Sequence, residues 1–412
     1  MTKIKKFENE VRFVYEKIPH VRTISLGIWI NNGSIHENEN ENGISHFIEH
    51  MLFKGTKNRT QVEIAEAIDN VGAIQNAFTS KEATCYYINA LDSYFDLSIE
   101  VLSDMFFNSV FNEEEIEKER KVIEEEIKMY EDLPDDLVVE QMNSSIYNNK
   151  SFGKPILGTV KSLKNIKREN FIDFLNRRYT GNNIVISLAG NFEEDYVLEK
   201  TEKIFGSKII GNKDNLIVEK PIYNREIILT NKKIEQAHLL LTYDAFDIFN
   251  KKSIDTKLFS SIFGGSQSSV LNQIVREKYG YAYSIFTSSV AYQTCGLFSV
   301  YAGLNKKNVN HVIEIVNEEF SKYLKTSVSD EKLKNTKEQF KSQLLMSLEN
   351  TSNCMSRNGK NMITKGKILS IEETISEIDN VTINSLNETL EILYTEKPSI
   401  SLVGDLKGIT VS

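Results

Sequence analysis

The 412-residue chain has three cysteines, no long apolar run and no segment in which Lys and Arg dominate. Cys85, Cys295 and Cys354 are odd in number, far apart and in no C-x-x-C pair, which argues against a disulfide framework. Buried structural thiols in a reducing cytoplasm are expected instead. No window of about 18 apolar residues occurs, so no membrane span is expected. The opening twenty residues alternate charged with apolar side chains and include Glu8, Glu10 and Glu16, unlike a secretory or mitochondrial targeting segment. A formal charge of −9 and a pI near 5.5 provide no basic face for a phosphate backbone, so nucleic acid is not an expected partner. The glycine-rich "GGSQSS" (264–269) lacks a following G-K-[ST], which excludes a nucleotide loop of that type.

What is present is ordinary globular composition on a chain long enough for two or more cores. Its bias toward Lys, Asn and Ile suits an AT-rich bacterial genome. Alternation predicts strands over Val11–Glu16 and 23–30, followed by helices at about 43–55 and 61–70. "AIQNAFTS" and "ATCYYINAL" read as two further strands, and helical patterns then run from Tyr94 to about Tyr147 and over 168–178. "NIVISLAG" (183–190) reads as a buried strand. Strands first and helices clustered later predict an α+β fold. The phrase "RRYTGNNIVISLAGNF" (177–192) recurs as "ILYTEKPSISLVGDL" (392–406). A repeated helix end, turn and strand suggests duplication. The expected division is an N-terminal half over 1–210, a linker over 211–224 and a C-terminal half over 225–412.

The segment "GISHFIEHMLF" (43–53) carries two histidines and a glutamate in an otherwise almost wholly apolar stretch. At about 100° per residue, His46 and His50 share one helix face with Glu49 beside them. Burying such groups without partners costs roughly 1–3 kcal/mol each, and more for a charge. Two hydrogen-bonded core histidines would be the structural explanation. The matching segment of the second half, "DTKLFSSIFGG", keeps the apolar helix and has no histidine. Core packing therefore does not require these residues. Histidines at i and i+4 can converge on one metal ion, and a nearby glutamate can reach a water on it; H-x-x-E-H is the inverzincin pattern.

A third ligand is sought in "NEEEIEKERKVIEEEIKMYED" (112–132), since His20, His36, His238 and His311 show no paired spacing. Asn112 suits a helix cap and Glu113 to Glu115 the first turn. Ile116, Ile123, Ile127 and Tyr130 define the expected buried stripe. Glu119 and Glu126, within about 20° of each other, edge that stripe, while Glu117, Glu124 and Glu125 form a solvated face. Helix geometry alone leaves both Glu119 and Glu126 open.

Together "NGISHFIEHMLFKGT", "NAFTSKEATCYY", "EKERKVIEEEIKMYEDLPDD", "FGKPILGT" and "VREKYGYAYS" resemble the M16 metallopeptidases, the family of pitrilysin, insulin-degrading enzyme and mitochondrial processing peptidase. The length resembles small bacterial members closest to the processing peptidase β subunit. The resemblance implies two homologous α/β-roll halves, each an antiparallel-rich sheet packed with helices. It also implies one Zn2+ per chain on His46, His50 and Glu126, with Glu49 as general base and Glu119 in support of the ligands. Arg276 and Tyr283 match the arginine and tyrosine that meet the substrate carbonyl and its oxyanion; a helix ion pair and a packed strand residue are their structural alternatives. Asn76, Ala77 and Phe78 match a substrate-binding edge strand, a plain core strand being the alternative. The implied activity is a zinc endopeptidase acting on unfolded or short peptides as a homodimer. A non-catalytic M16-like peptide-binding or partner subunit is the competing reading.

Overall fold

A computed structural model describes residues 2–148, 150–207, 218–395, 397–409 and 411. Strands β1 (Lys3–Lys6), β2 (Arg12–Lys17), β3 (Thr23–Ile30), β4 (Ile74–Thr79), β5 (Thr84–Leu91) and β6 (Ile184–Gly190) form one sheet in the order β1-β2-β6-β3-β5-β4. Strands β7 (Ile227–Asn231), β8 (Gln236–Ala245), β9 (Ala282–Ala291), β10 (Gly296–Asn305) and β11 (Ser399–Gly404) form a second, in the order β7-β11-β8-β10-β9. Each sheet has one parallel pair, β2 with β6 and β7 with β11, and is otherwise antiparallel. Without the charged strand β1, the two orders match strand for strand. The fold is therefore α+β with two homologous halves, and the repeated sequence phrase is the equivalent pair β6 and β11.

The chain forms two compact units, and neither is continuous in sequence. Unit 1 comprises Met1–Ile127, Lys154–Val218 and Leu345–Ser370; unit 2 comprises Lys128–Gly153, Glu219–Leu344 and Ile371–Ser412. Each sheet is thus backed by a helix from the opposite half of the sequence. Half of the linker placed at 211–224, residues 211–217, lies outside the described residues.

The central strands β3 and β6 of the first sheet are buried on both faces. Ile24, Leu26 and Ile28 of β3 join a core with the helices Ile44–Leu52, Phe95–Asn108 and Arg168–Arg178. Trp29 points the other way, onto Cys354, Met355, Met362 and Ile363 of the helix Thr351–Lys365. That helix lies unusually close, because a Cβ on Gly359 would stand 2.2 Å from Trp29 Nε1. Ser187 in β6 donates to Met355 O at 2.8 Å. Its counterpart in unit 2, Ser401 in β11, donates to Val138 O of the helix Pro134–Ile146, also at 2.8 Å. The serine retained in both copies of the phrase pegs a backing helix to its sheet, satisfying a polar group in a dry layer.

The three cysteines are buried, and none is in a disulfide among the described residues. The helix Lys252–Phe263, at the place in unit 2 that Ile44–Leu52 holds in unit 1, buries Leu258, Phe259, Ile262 and Phe263 as plain core. Among the described residues, no helix is long and apolar enough to cross a membrane.

Candidate metal centre

The helix Ile44–Leu52 begins at Gly43, whose φ of +94° is in the left-handed region that glycine tolerates. A side chain there would also strike the backbone at Leu157 and Gly158, within the "FGKPILGT" segment. That segment is the seat of the helix, and Asn42 Nδ2 donates to Pro155 O at 2.9 Å. A buried carboxylate completes the start. Glu37 accepts hydrogen bonds from Gly43 N at 2.8 Å, Ser45 N at 2.9 Å and Asn42 Nδ2 at 3.0 Å. It thereby satisfies two of the helix's free N–H groups one residue before His46. Sequence reasoning missed Glu37, because it lies six residues upstream of the helix rather than at a standard cap position. Glu37→Ala is expected to lower unfolding free energy by about 1–3 kcal/mol, read from urea or thermal unfolding, by leaving these N–H groups unpaired.

The second element is the helix Glu113–Asp132, capped by Asn112 Oδ1, which accepts from Glu114 N at 2.8 Å. Its buried residues are Ile116, Glu119, Arg120 and Ile123. The stripe expected to reach Tyr130 ends earlier: Ile127 is half-buried and Tyr130 is 40% exposed, since the last turn runs past the unit 1 core. Arg120 was not singled out from sequence, yet its guanidinium lies over the Phe47 ring at 5.5 Å and donates to Ile166 O at 2.9 Å. It fixes the acidic helix against the histidine helix.

His46, His50 and Glu126 are brought together. Glu126 Oε2 is 3.9 Å from His46 Nε2 and 3.7 Å from His50 Nε2, and one donor atom from each residue lies within 4.8 Å of the others. These separations are too long for hydrogen bonds. They are close to the roughly 3.4 Å between donors around a tetrahedral ion with bonds near 2.1 Å. Two imidazole nitrogens and a carboxylate fit zinc in both softness and number, with a fourth position open.

Glu119 resolves into a different place from Glu126. Its Oε2 lies 3.1 Å from His50 Nδ1, the nitrogen facing away from the cluster, and its Oε1 lies 2.6 Å from Lys54 Nζ. Burial would raise its pKa, but the bonds from His50 and Lys54 outweigh that and hold it below the usual carboxylate range. Burial drives His46 down to about 3, so it is neutral and free to ligate; its Nδ1 has no partner among the described residues. Burial pushes Glu126 upward, against the pull of His50.

Glu49 is not one of the three clustered donors. Its Oε2 accepts from Thr79 Oγ1 at 2.5 Å, and burial raises its pKa despite that bond. Thr79 closes β4, which is an edge strand rather than an internal one. Along it Ile74 and Phe78 are 63% and 38% exposed, and Asn76 Oδ1 accepts from Ala77 N at 2.8 Å.

In unit 2, Arg276 lies in the π-helical stretch Asn272–Lys278 with its side chain 47% exposed, 3.8 Å from Glu277. Tyr283 in β9 is 78% exposed, so it is not a packed strand residue.

The family model described as insulinase (peptidase family M16) matches residues 12–160, and that described as the peptidase M16 inactive domain matches 165–340. A Bacillus subtilis (strain 168) protein named an uncharacterized zinc protease is 40% identical, with 96% of each chain covered. A Rickettsia felis protein of like name is 35% identical over 98% of each. A crystal structure of a peptidase M16 inactive domain from Pseudomonas fluorescens matches at TM-score 0.91 and 16% identity, covering 100% of this chain and 99% of that one. A protease from Helicobacter pylori matches at 0.88 and 19%, covering 98% of each. At such identities the two structures speak to the fold, while the family models and the closer sequences identify the lineage. The chain belongs to the M16 (insulinase) peptidase family.

Proposed function

We propose that the protein is a zinc endopeptidase hydrolysing unfolded or short peptides, with one Zn2+ per chain held by His46, His50 and Glu126. The observation that carries this reading is three buried or half-buried donors facing one another beyond hydrogen-bond range, beside a further half-buried carboxylate, Glu49, held by Thr79. The zinc-protease names of the relatives support it. Zinc, when bound, supplies a Lewis acid that polarises a peptide carbonyl and acidifies a water molecule.

Glu49 takes the proton from that water and delivers it to the leaving amine, with Thr79 fixing the orientation of its carboxylate. Glu119 accepts from His50 Nδ1–H, which keeps the other ring nitrogen free as a donor to the metal. An extended peptide adds to the edge of β4 through Asn76, Ala77 and Phe78, and Thr79 on the same strand joins that edge to Glu49. In this reading Arg276 and Tyr283 stabilise the oxyanion, consistent with their exposure, and the active form is a homodimer enclosing the peptide.

The test is zinc content together with cleavage of a quenched peptide, with and without chelator. Stoichiometric zinc and chelator-sensitive cleavage are expected. Metal-free protein that binds peptides without cutting them would instead support a non-catalytic partner.

A further inference from the structure

We infer that Lys54 is a positioning residue of the metal centre, acting through Glu119. The inference rests on the zinc reading above and adds to it Lys54, a residue that reading does not use. Lys54 follows the histidine helix by two residues and lies one helical turn beyond His50. Its Nζ is 2.6 Å from Glu119 Oε1, and the pair is largely withdrawn from water, with side-chain exposures of 19% and 8%. The other oxygen of the same carboxylate faces His50 Nδ1 at 3.1 Å. Glu119 therefore bridges an ammonium group and the far side of a metal-ligand imidazole.

That geometry has two effects. The ammonium fixes the rotation of the carboxylate, so Oε2 is aimed along the Nδ1–H bond and the His50 ring is held with Nε2 toward Glu126. It also offsets a buried negative charge that would otherwise strand itself beside an apolar helix. A plain ion pair stapling two helices would have no reason to reach a ligand through the same carboxylate. Arg120, seated over Phe47, already provides a staple between these helices.

The test compares full-length wild type, Lys54→Met, Lys54→Gln and Lys54→Arg by zinc dissociation constant, by the visible spectrum of the cobalt-substituted protein and by melting of the metal-free form. Weakening of zinc by about 10–100-fold is expected in the Met and Gln variants, with a shifted cobalt spectrum and recovery in the Arg variant. In a Glu119→Gln background, Lys54→Met should add no further loss. Unchanged zinc affinity in Lys54→Met, or an equal loss in the Glu119→Gln background, overturns the proposal while leaving the zinc reading intact. Wild-type protein that takes up no zinc overturns both.

Discussion

Glu49→Gln is expected to keep wild-type zinc content while losing peptide turnover by about 10²–10⁴-fold, the span that a positioned acid–base group contributes. The expectation follows from the separation of roles in one helix. His46 and His50 lie on the face turned to Glu126, whereas the Glu49 carboxylate accepts a hydrogen bond from Thr79. Glutamine has nearly the same shape and can still hydrogen-bond Thr79, so neither the helix nor the metal ligands should shift. What it cannot do is accept a proton. Metal analysis and kcat on a quenched peptide, measured on the same preparation, check the result. Zinc loss in this variant would assign Glu49 to ligation, and unchanged kcat would remove it from the mechanism.

A fragment ending at Val218 is expected not to fold, although it contains every proposed zinc ligand and the whole first sheet. The missing part is the helix Thr351–Lys365, which covers Val14, Trp29, Cys85 and Val185. Burying a side chain of this size contributes about 1.5–3 kcal/mol, against a total stability of about 5–15 kcal/mol for a typical domain. Exposing the four together removes most of that margin and uncovers a contiguous apolar face. Circular dichroism and size-exclusion chromatography of the fragment test this. A monomeric fragment with cooperative unfolding would show that the backing helix is dispensable.

Much of the site was legible because its cost was visible. Histidines and a glutamate on an apolar helix are costly to bury, and the histidine-free copy in the second half weighed against a purely structural explanation. Glu119 and Glu126 could be found but not ranked by helix angle, since 20° does not say which of two carboxylates reaches Nε2 and which reaches Nδ1. The residues that hold the site in place left no pattern. Glu37 caps its helix from six residues upstream, Thr79 reaches Glu49 from a neighbouring strand, and Lys54 looks like any lysine after a helix until Glu119 is placed beside it.

The same division applies to the fold. The repeated phrase revealed the duplication, and alternation located β2 and β3, while β1 and the strands β7 to β10 were not read from the sequence. The exchange of backing helices was hidden because the helix Thr351–Lys365 carries the same kind of apolar stripe whichever sheet it covers. Only Ser187 and Ser401 hinted at it, as polar residues in otherwise apolar strands whose partners lie far away in sequence.

The most direct test is diffraction from crystals grown with zinc, with data collected on either side of the zinc absorption edge. One anomalous peak per chain is predicted, within bonding distance of His46 Nε2, His50 Nε2 and a Glu126 oxygen, with Glu119 on His50 Nδ1. No peak among these donors, or zinc bound at some other group while His46, His50 and Glu126 remain apart, would contradict the account.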